Sequence, residues 1–272
     1  MASSSRSGTL DSWTDNAEHW DKGMGSEGNK YWRLLELPSL KRMVPIAPGC
    51  KALDLATGNG LCARWLASEG ASVLATDGSE RMLEFAAART PPEHEHLVEY
   101  KALDATREED FERLLATERG REGFDVILMN MAIMDIETLD PLAAALPNLL
   151  KKDGVFVATL LHPVFVTSNA TQKVEIRSDL ETGRTTIARS RVITQYLNVP
   201  PYRGVAFETQ PEWQLYFHRP LHELFGVFFK AGLVLDALEE PHFTDEASLD
   251  PKNPEDHSQI PVLFAFRLRQ RD

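Results

Sequence analysis

The sequence is poor in three features that characterise particular classes of protein. Cys50 and Cys62 are its only cysteines, too few for a disulfide framework or a cysteine metal site and typical of a reducing compartment. No apolar run approaches the ~18 residues of a membrane span. Basic residues are outnumbered, with 29 Lys and Arg against 41 Asp and Glu and a net charge of −12. We therefore expect a cytoplasmic protein that binds neither membranes nor nucleic acid, because nucleic-acid binders usually carry a basic patch.

The length and composition favour one large domain. The chain has 272 residues, of which 43% are hydrophobic, enough to bury a sizeable core. Residues 1–9 are polar and Ser-rich, which predicts a disordered tail and no signal peptide. Residues 10–272 are predicted to form a single domain, with residues 10–48 as an N-terminal helical cap or lid.

The most informative stretch is residues 51–66, which read KALDLATGNGLCARWL. Apolar residues around Asp54 predict a short buried strand, and Gly58 and Gly60 predict a tight turn. Helical spacing then resumes at Leu61. Strand, glycine turn and helix form the first unit of a doubly wound α/β fold, whose ligands bind at this turn. The alternative is a purely structural turn in which Asp54 is hydrogen-bonded.

Two classes of cofactor use such a turn. The spacing Gly58-x-Gly60-x-x-Ala63 fits the looser form of the dinucleotide fingerprint. Asp54 instead points to a ligand with a cationic amino group, because a carboxylate in a buried strand is costly without a partner. With this acid followed by glycine-rich alternation, the chain resembles the class I S-adenosylmethionine-dependent methyltransferases, although Ala56 stands where that family usually has its first glycine.

Acidic residues later in the chain extend this resemblance. Asp77 ends a second predicted strand, where an acid accepts hydrogen bonds from ribose hydroxyls in both cofactor classes. The resemblance implies that Asp104 binds the adenine amino group, with a helix N-cap as the alternative, and that the loop after the fourth strand lines the methyl-transfer point. The implied site for S-adenosylmethionine, or its product S-adenosylhomocysteine, comprises Trp20, Asp54, Ala56, Thr57, Gly58, Asn59, Gly60, Asp77, Gly78, Ser79, Met82, Asp104, Ala105, Asn130, Met131 and Ala132.

The end of the chain distinguishes the two cofactor classes at the level of the fold. The last predicted strands, residues 233–238 and 262–268, follow each other with no helix between them, whereas a dinucleotide fold expects another crossover helix. The methyltransferase resemblance implies a seven-stranded doubly wound sheet of order 3-2-1-4-5-7-6, with the last strand antiparallel and helices on both faces. Residues 164–217 interrupt the strand–helix alternation and predict a β-rich, substrate-binding insertion after strand 5. An oligomer contact or a structural flap is the alternative.

The predicted reaction is in-line transfer of a methyl group to oxygen or nitrogen of a small, apolar or aromatic acceptor, since aromatic residues crowd the insertion. His162 is the first candidate base because it follows strand 5, ahead of Asp135, His218 and Tyr216; structural roles are the alternative for both histidines. No metal site is predicted. The candidate substrate-binding residues are Tyr31, Met134, His162, Tyr202, Trp213 and Tyr216.

Two other functions remain open at this stage. A methyltransferase-like protein can bind S-adenosylmethionine for non-methylating catalysis or in a binding role, and its cofactor motifs look the same. An NAD-dependent oxidoreductase is the further alternative, against which Asp54 and the strand pattern argue. We expect a monomer or a homodimer.

Overall fold

Strands form one large sheet and two hairpins in the computed structural model, which describes residues 8–168, 170–244 and 259–271. The sheet order is β3-β2-β1-β4-β5-β11-β10, where the strands are β1 (Lys51–Leu55), β2 (Ser72–Asp77), β3 (Val98–Ala102), β4 (Phe124–Asn130), β5 (Leu150–Leu161), β6 (Thr171–Ser178), β7 (Thr185–Val192), β8 (Tyr202–Gly204), β9 (Gln214–Tyr216), β10 (Leu233–Glu239) and β11 (Leu263–Gln270). β11 runs antiparallel to both neighbours. The predicted order and the antiparallel last strand are confirmed.

Helices cover both faces of this sheet, and none in the described part of the chain is long and apolar enough to cross a bilayer. Alternate residues of β1 belong to two separate hydrophobic clusters, Leu53 to one and Ala52 to the other. This two-sided burial explains why the central strands are almost continuously apolar. The α-helices are α1 (Gly8–Met24), α2 (Leu37–Met43), α3 (Leu61–Ser68), α4 (Glu80–Ala88), α5 (Glu108–Leu115), α6 (Glu118–Glu122), α7 (Asp140–Leu149) and α8 (Leu221–Lys230).

The N-terminal segment contains a π-helix that its sequence spacing does not indicate. Helix α1 begins at Gly8, inside the predicted disordered tail, whose residues 1–7 lie outside the described part of the chain. The π-helix Trp32–Glu36 runs directly into α2. Pro38 stands in the first turn of α2, where proline is tolerated. The wider π turn leaves Glu36 only 4% exposed.

The insertion after β5 consists of two hairpins, as its alternating pattern predicts. Strands β6 and β7 pair antiparallel across a turn in which Gly183 has a φ of 69°, and most of their residues are exposed. Strands β8 and β9 form the second hairpin. It lies near the carboxyl end of β4, where the N–H of Phe217 donates to the carbonyl of Met134. Residues 245–258, which connect β10 to β11, lie outside the described part of the chain.

Candidate active site

A cavity of about 450 Å³ is lined by residues at the carboxyl ends of β1, β2, β4 and β5. The strand order changes direction between the adjacent strands β1 and β4, and β2 and β5 lie on either side of this pair. Doubly wound folds bind their ligands at this switch point. The volume is typical of sites for small molecules.

The predicted cofactor residues line one end of this cavity, with the exception of Gly60 and Ser79. Gly60 lies behind the turn, where an added Cβ would be 3.0 Å from the Cβ of Ala86. Ser79 is the N-cap of α4, and its hydroxyl accepts from the N–H of Met82. The residues that the structure does bring to the cavity are Trp20, Asp54, Ala56, Thr57, Gly58, Asn59, Asp77, Gly78, Met82, Asp104, Ala105, Asn130, Met131 and Ala132.

The turn after β1 holds three residues in the left-handed region of backbone space. Gly58 has a φ of 56° and Gly60 a φ of 82°, and Ala56 joins them at 53°. Alanine adopts this conformation at a cost of about 1–2 kcal/mol, so the missing first glycine of the motif does not change the turn. A Cβ on Gly58 would meet only the indole nitrogen of Trp20, at 3.7 Å. The backbone at Gly58 therefore leaves open space beside the cavity.

Asp54 is buried beneath this turn and is 1% exposed. Its Oδ2 accepts a hydrogen bond from the hydroxyl of Thr57 at 2.5 Å. The pKa of Asp54 is raised to about 7, mainly by burial; the hydrogen bond from Thr57 opposes this rise and the nearby charge of Asp77 adds to it. A positively charged ligand would favour the ionised form.

The raised pKa of Asp54 predicts a pH-dependent loss of stability in the ligand-free protein. An acid with a raised pKa in the folded state contributes stability that is fully present below its unfolded pKa and is lost as the pH rises through its folded pKa, here about 7. Asp54→Asn removes this ionisation. Between about pH 5 and pH 8 the wild type should lose about 2 kcal/mol more stability than the variant.

Urea unfolding of both proteins across this pH range measures the difference. Asp15→Asn, a change at an exposed position of α1, is the control and should follow the wild-type profile. Parallel profiles for Asp54→Asn and the wild type would show that Asp54 is ionised throughout this range.

Asp77 joins the glycine turn to α4. One carboxylate oxygen accepts from the N–H of Gly58 and the other from the N–H of Ser79, both at 2.9 Å. Burial raises the pKa of Asp77 to about 6, and the charge of Asp104 contributes in the same direction. Each oxygen keeps a further lone pair for a ligand donor.

Asp104 follows β3 and forms a local turn. Its Oδ1 accepts from both the backbone N–H and the hydroxyl of Thr106, at 2.9 and 2.7 Å. The N-cap position of α5 belongs to Arg107 and has no side-chain cap. The alternative role of Asp104 as a helix cap is therefore excluded, while its place in the cavity wall is compatible with ligand binding.

Glu36 is a cavity residue that the sequence analysis did not identify. Its Oε2 accepts from the side-chain amide of Asn130 at 2.8 Å, and Asn130 Oδ1 in turn accepts from the hydroxyl of Thr159 at 2.6 Å. Burial raises the pKa of Glu36 to about 7 against the effect of the Asn130 hydrogen bond. An acid within the apolar run Leu35-Glu36-Leu37 was the available signal.

The other end of the cavity contains residues of the insertion and of the end of β5. Two aromatic side chains of its wall are in contact, because Trp20 of α1 packs edge-on against Phe207 at 5.2 Å between ring centroids. The side-chain amide of Asn16 also makes two hydrogen bonds to the backbone of Glu212, at 2.8 and 2.9 Å. The residues of this end are Tyr31, Met134, Asp135, Ile136, Leu161, Val166, Val205, Ala206, Gln214, Tyr216, Val262 and Leu263.

Neither predicted histidine base lies in the cavity wall. His162 is 2% exposed; its Nε2 is 2.9 Å from Oε1 of Glu240 and its Nδ1 accepts from the N–H of Val164 at 3.1 Å. Burial lowers the pKa of His162, and Glu240 opposes this effect. His218 is bound through Nε2 to the carbonyl of Tyr196 at 2.8 Å. The other two candidate bases, Asp135 and Tyr216, do line the cavity.

Of the candidate substrate-binding residues, likewise, some line the cavity and others do not. Tyr31, Met134 and Tyr216 line the cavity. Tyr202 does not; it lines a separate, smaller pocket that also contains His218. Trp213 is 57% exposed, because it precedes β9, in which Gln214 and Tyr216 are the buried positions.

The ionisable side chains Glu36, Asp54, Asp77, Asp104 and Asp135 of the cavity wall are all acidic. The wall has these five carboxyl groups, and no Lys, Arg or His lines it among the described residues. No group of side chains that could hold a metal ion occurs in this part of the chain either. Such a wall favours a ligand that is rich in hydrogen-bond donors and carries positive charge.

Comparison with known proteins identifies the domain. Residues 53–156, which run from β1 to β5, match the model of a family described as the methyltransferase domain. Residues 53–156 therefore form a methyltransferase domain. No curated protein matches it.

Solved structures share the fold of this methyltransferase domain. An S-adenosylmethionine-dependent methyltransferase from Mesorhizobium loti is 23% identical, covering 90% of this chain and 100% of that one with a TM-score of 0.65. A Listeria monocytogenes protein assigned to the same enzyme class is 24% identical, covering 87% and 97% with a TM-score of 0.63. A Haloferax volcanii protein solved with the Trm112 methyltransferase activator is 17% identical, covering 97% and 98% with a TM-score of 0.62.

The cavity wall fits the cofactor of this methyltransferase. When bound, S-adenosylmethionine supplies a methyl group on a positively charged sulfur. Its charges and ribose hydroxyls suit a wall with five carboxyl groups, and the turn at Gly58 leaves the space that a Cβ would fill. The pyrophosphate of NAD, by contrast, would bring two negative charges into the same acidic surroundings.

Proposed function

We propose that the protein methylates a small organic molecule, on nitrogen or oxygen, within this cavity. One observation carries the proposal: a single cavity is lined both by the cofactor-motif residues and by the insertion residues Gln214 and Tyr216. The cavity volume of about 450 Å³ favours a small acceptor. We propose no nucleic-acid partner, and a monomer or homodimer.

The cofactor roles that we propose follow the position of each carboxyl group. Asp77 accepts from the ribose hydroxyls, because its two oxygens are already oriented by the N–H groups of Gly58 and Ser79. Asp104 and Ala105 bind the adenine edge, and Asp54 supports the turn beneath the amino-acid portion. Residues 130–132 form the wall where the two ends of the cavity meet.

The chain contributes positioning, exclusion of water and a proton acceptor. The packing of α1 against the insertion reduces the access of water to the reacting groups, and the cavity walls hold the acceptor in line for attack. Asp135 and Tyr216 are the predicted bases in the cavity wall. Asp135 is the proposed proton acceptor, because burial raises the pKa of the Tyr216 phenol and disfavours its ionised form. His162 and His218 are not proposed for this role, since both are engaged elsewhere.

Transfer of a deuterated methyl group tests this function. The protein is incubated with S-adenosylmethionine carrying a trideuteromethyl group and a cell extract that has been separated into small molecules and macromolecules. We expect the label in the small-molecule fraction and its loss with Asp77→Ala. Label confined to protein or RNA would contradict a small acceptor, and no label with intact S-adenosylhomocysteine binding would favour the non-methylating alternative.

A further inference from the structure

Two polar side chains at the acceptor end of the cavity carry buried atoms without hydrogen-bond partners. These atoms are Oδ1 of Asp135 and Nε2 of Gln214, and both residues line the cavity. A buried donor or acceptor that stays unpaired costs the folded protein free energy. One atom accepts and the other donates, so the pair is complementary to a ligand that does both.

The donor character of Gln214 follows from its neighbours. Gln210 Oε1 accepts from the N–H groups of Ala206 and Phe207, at 2.9 and 3.2 Å. The amide nitrogen of Gln210 is thereby directed to Oε1 of Gln214, at 2.7 Å. Nε2 of Gln214 remains as the unpaired donor, on a side chain that is only 1% exposed.

Asp135 is held in place by its backbone. It ends the 3₁₀ turn Ile133–Asp135. The guanidinium of Arg219 donates to the first carbonyl of this turn at 3.1 Å, and the N–H of Phe217 donates to the second at 2.7 Å. Because Phe217 directly follows β9, the turn that carries Asp135 is attached to the strand that carries Gln214.

The surroundings of Asp135 lack a balancing charge. No basic side chain lines the cavity among the described residues, and burial raises the pKa of Asp135 well above its usual range. Asp54, Asp77 and Asp104 occupy the cofactor end, and Glu36 accepts a hydrogen bond from Asn130. This leaves Asp135 as the carboxyl group that insertion residues accompany. A cation bound there would supply the missing countercharge and form a charge-assisted hydrogen bond.

We propose that Asp135 and Gln214 bind the head group of the acceptor and that this acceptor is an amine with an oxygen atom close to its nitrogen. Asp135 accepts an N–H of the amine, and Gln214 Nε2 donates to the neighbouring hydroxyl or carbonyl oxygen. The remainder of the molecule packs against apolar groups such as Ile136, Leu161 and Val262. This inference rests on the proposed function, because it assigns a chemistry to the acceptor end of the same cavity.

Matched probes test the two contacts separately. Titration calorimetry with the S-adenosylhomocysteine-saturated protein compares 2-amino-1-phenylethanol, phenethylamine, 2-phenylethanol and phenylacetate, and then the corresponding hexyl series. We expect the amino alcohol to bind best, phenethylamine to bind at least tenfold tighter than 2-phenylethanol, and phenylacetate to bind weakest. Asp135→Asn should reduce the preference for amine over alcohol to about threefold or less. Gln214→Met should remove only the gain from the added hydroxyl.

Binding of S-adenosylhomocysteine to each variant is the control and should stay within about twofold of the wild type. If the wild type does not bind S-adenosylhomocysteine, the proposed function is refuted. If it does bind, a failure of the probe comparison refutes only the head-group assignment. Equal or tighter binding of phenylacetate, an unchanged amine preference in Asp135→Asn, or no amine binding in either series would overturn the assignment.

Discussion

Replacement of Asp77 by alanine should lower the affinity for S-adenosylhomocysteine by about 10²-fold or more while leaving the protein folded. Hydrogen bonds to a charged group contribute about 1.5–3 kcal/mol each, and the ribose offers two hydroxyl donors. The variant also loses the carboxylate that orients the N–H groups of Gly58 and Ser79, which loosens the turn around the cofactor. The loss in affinity therefore exceeds that of one ligand contact.

Tryptophan fluorescence provides the measurement, because Trp13 and Trp20 both line the cavity. Glu80→Ala is the matched control, since Glu80 is an exposed acid in the first turn of α4 and does not line the cavity. The control should titrate like the wild type. A dissociation constant for Asp77→Ala within about threefold of the wild type would show that Asp77 does not face the ribose.

The cofactor end of the site could be predicted from the sequence because its signals are local. Asp54, Gly58 and Gly60 lie within one strand–turn unit, and Asp77 ends the next strand at the same edge of the sheet. Parallel strands bring their carboxyl ends together, so the order of elements alone predicts that these residues are neighbours. The sheet order could be predicted in the same way.

The acceptor end could not be predicted, because tertiary contacts fix the direction of its side chains. His162 follows β5 as expected, but it lies between the rings of Phe165 and Phe264, at 4.5 and 5.2 Å between centroids, and contacts Glu240. Nothing in the spacing of a strand end predicts which side such a residue will face. Glu36 was missed for a related reason, since the π turn shifts it into the interior.

The aromatic residues of the insertion show what strand alternation could have added. Trp213 is predicted to bind substrate as one of the aromatic residues of the insertion, yet Gln214 and Tyr216 are the buried positions of β9. Residues two apart on a strand face the same side, so the choice of Tyr216 for the pocket already implied Gln214 and excluded Trp213. Composition alone favoured an apolar acceptor, whereas the buried polar atoms of Asp135 and Gln214 favour one with a polar head group.

Titration calorimetry with S-adenosylhomocysteine and with NAD tests the identity of the cavity most directly. The five carboxyl groups in its wall should accept the amino group and ribose hydroxyls of S-adenosylhomocysteine but repel the pyrophosphate of NAD. We predict binding of S-adenosylhomocysteine with a micromolar dissociation constant, equivalent to about −8 kcal/mol, and no measurable heat with NAD. Tight binding of NAD together with no response to S-adenosylhomocysteine would contradict the account.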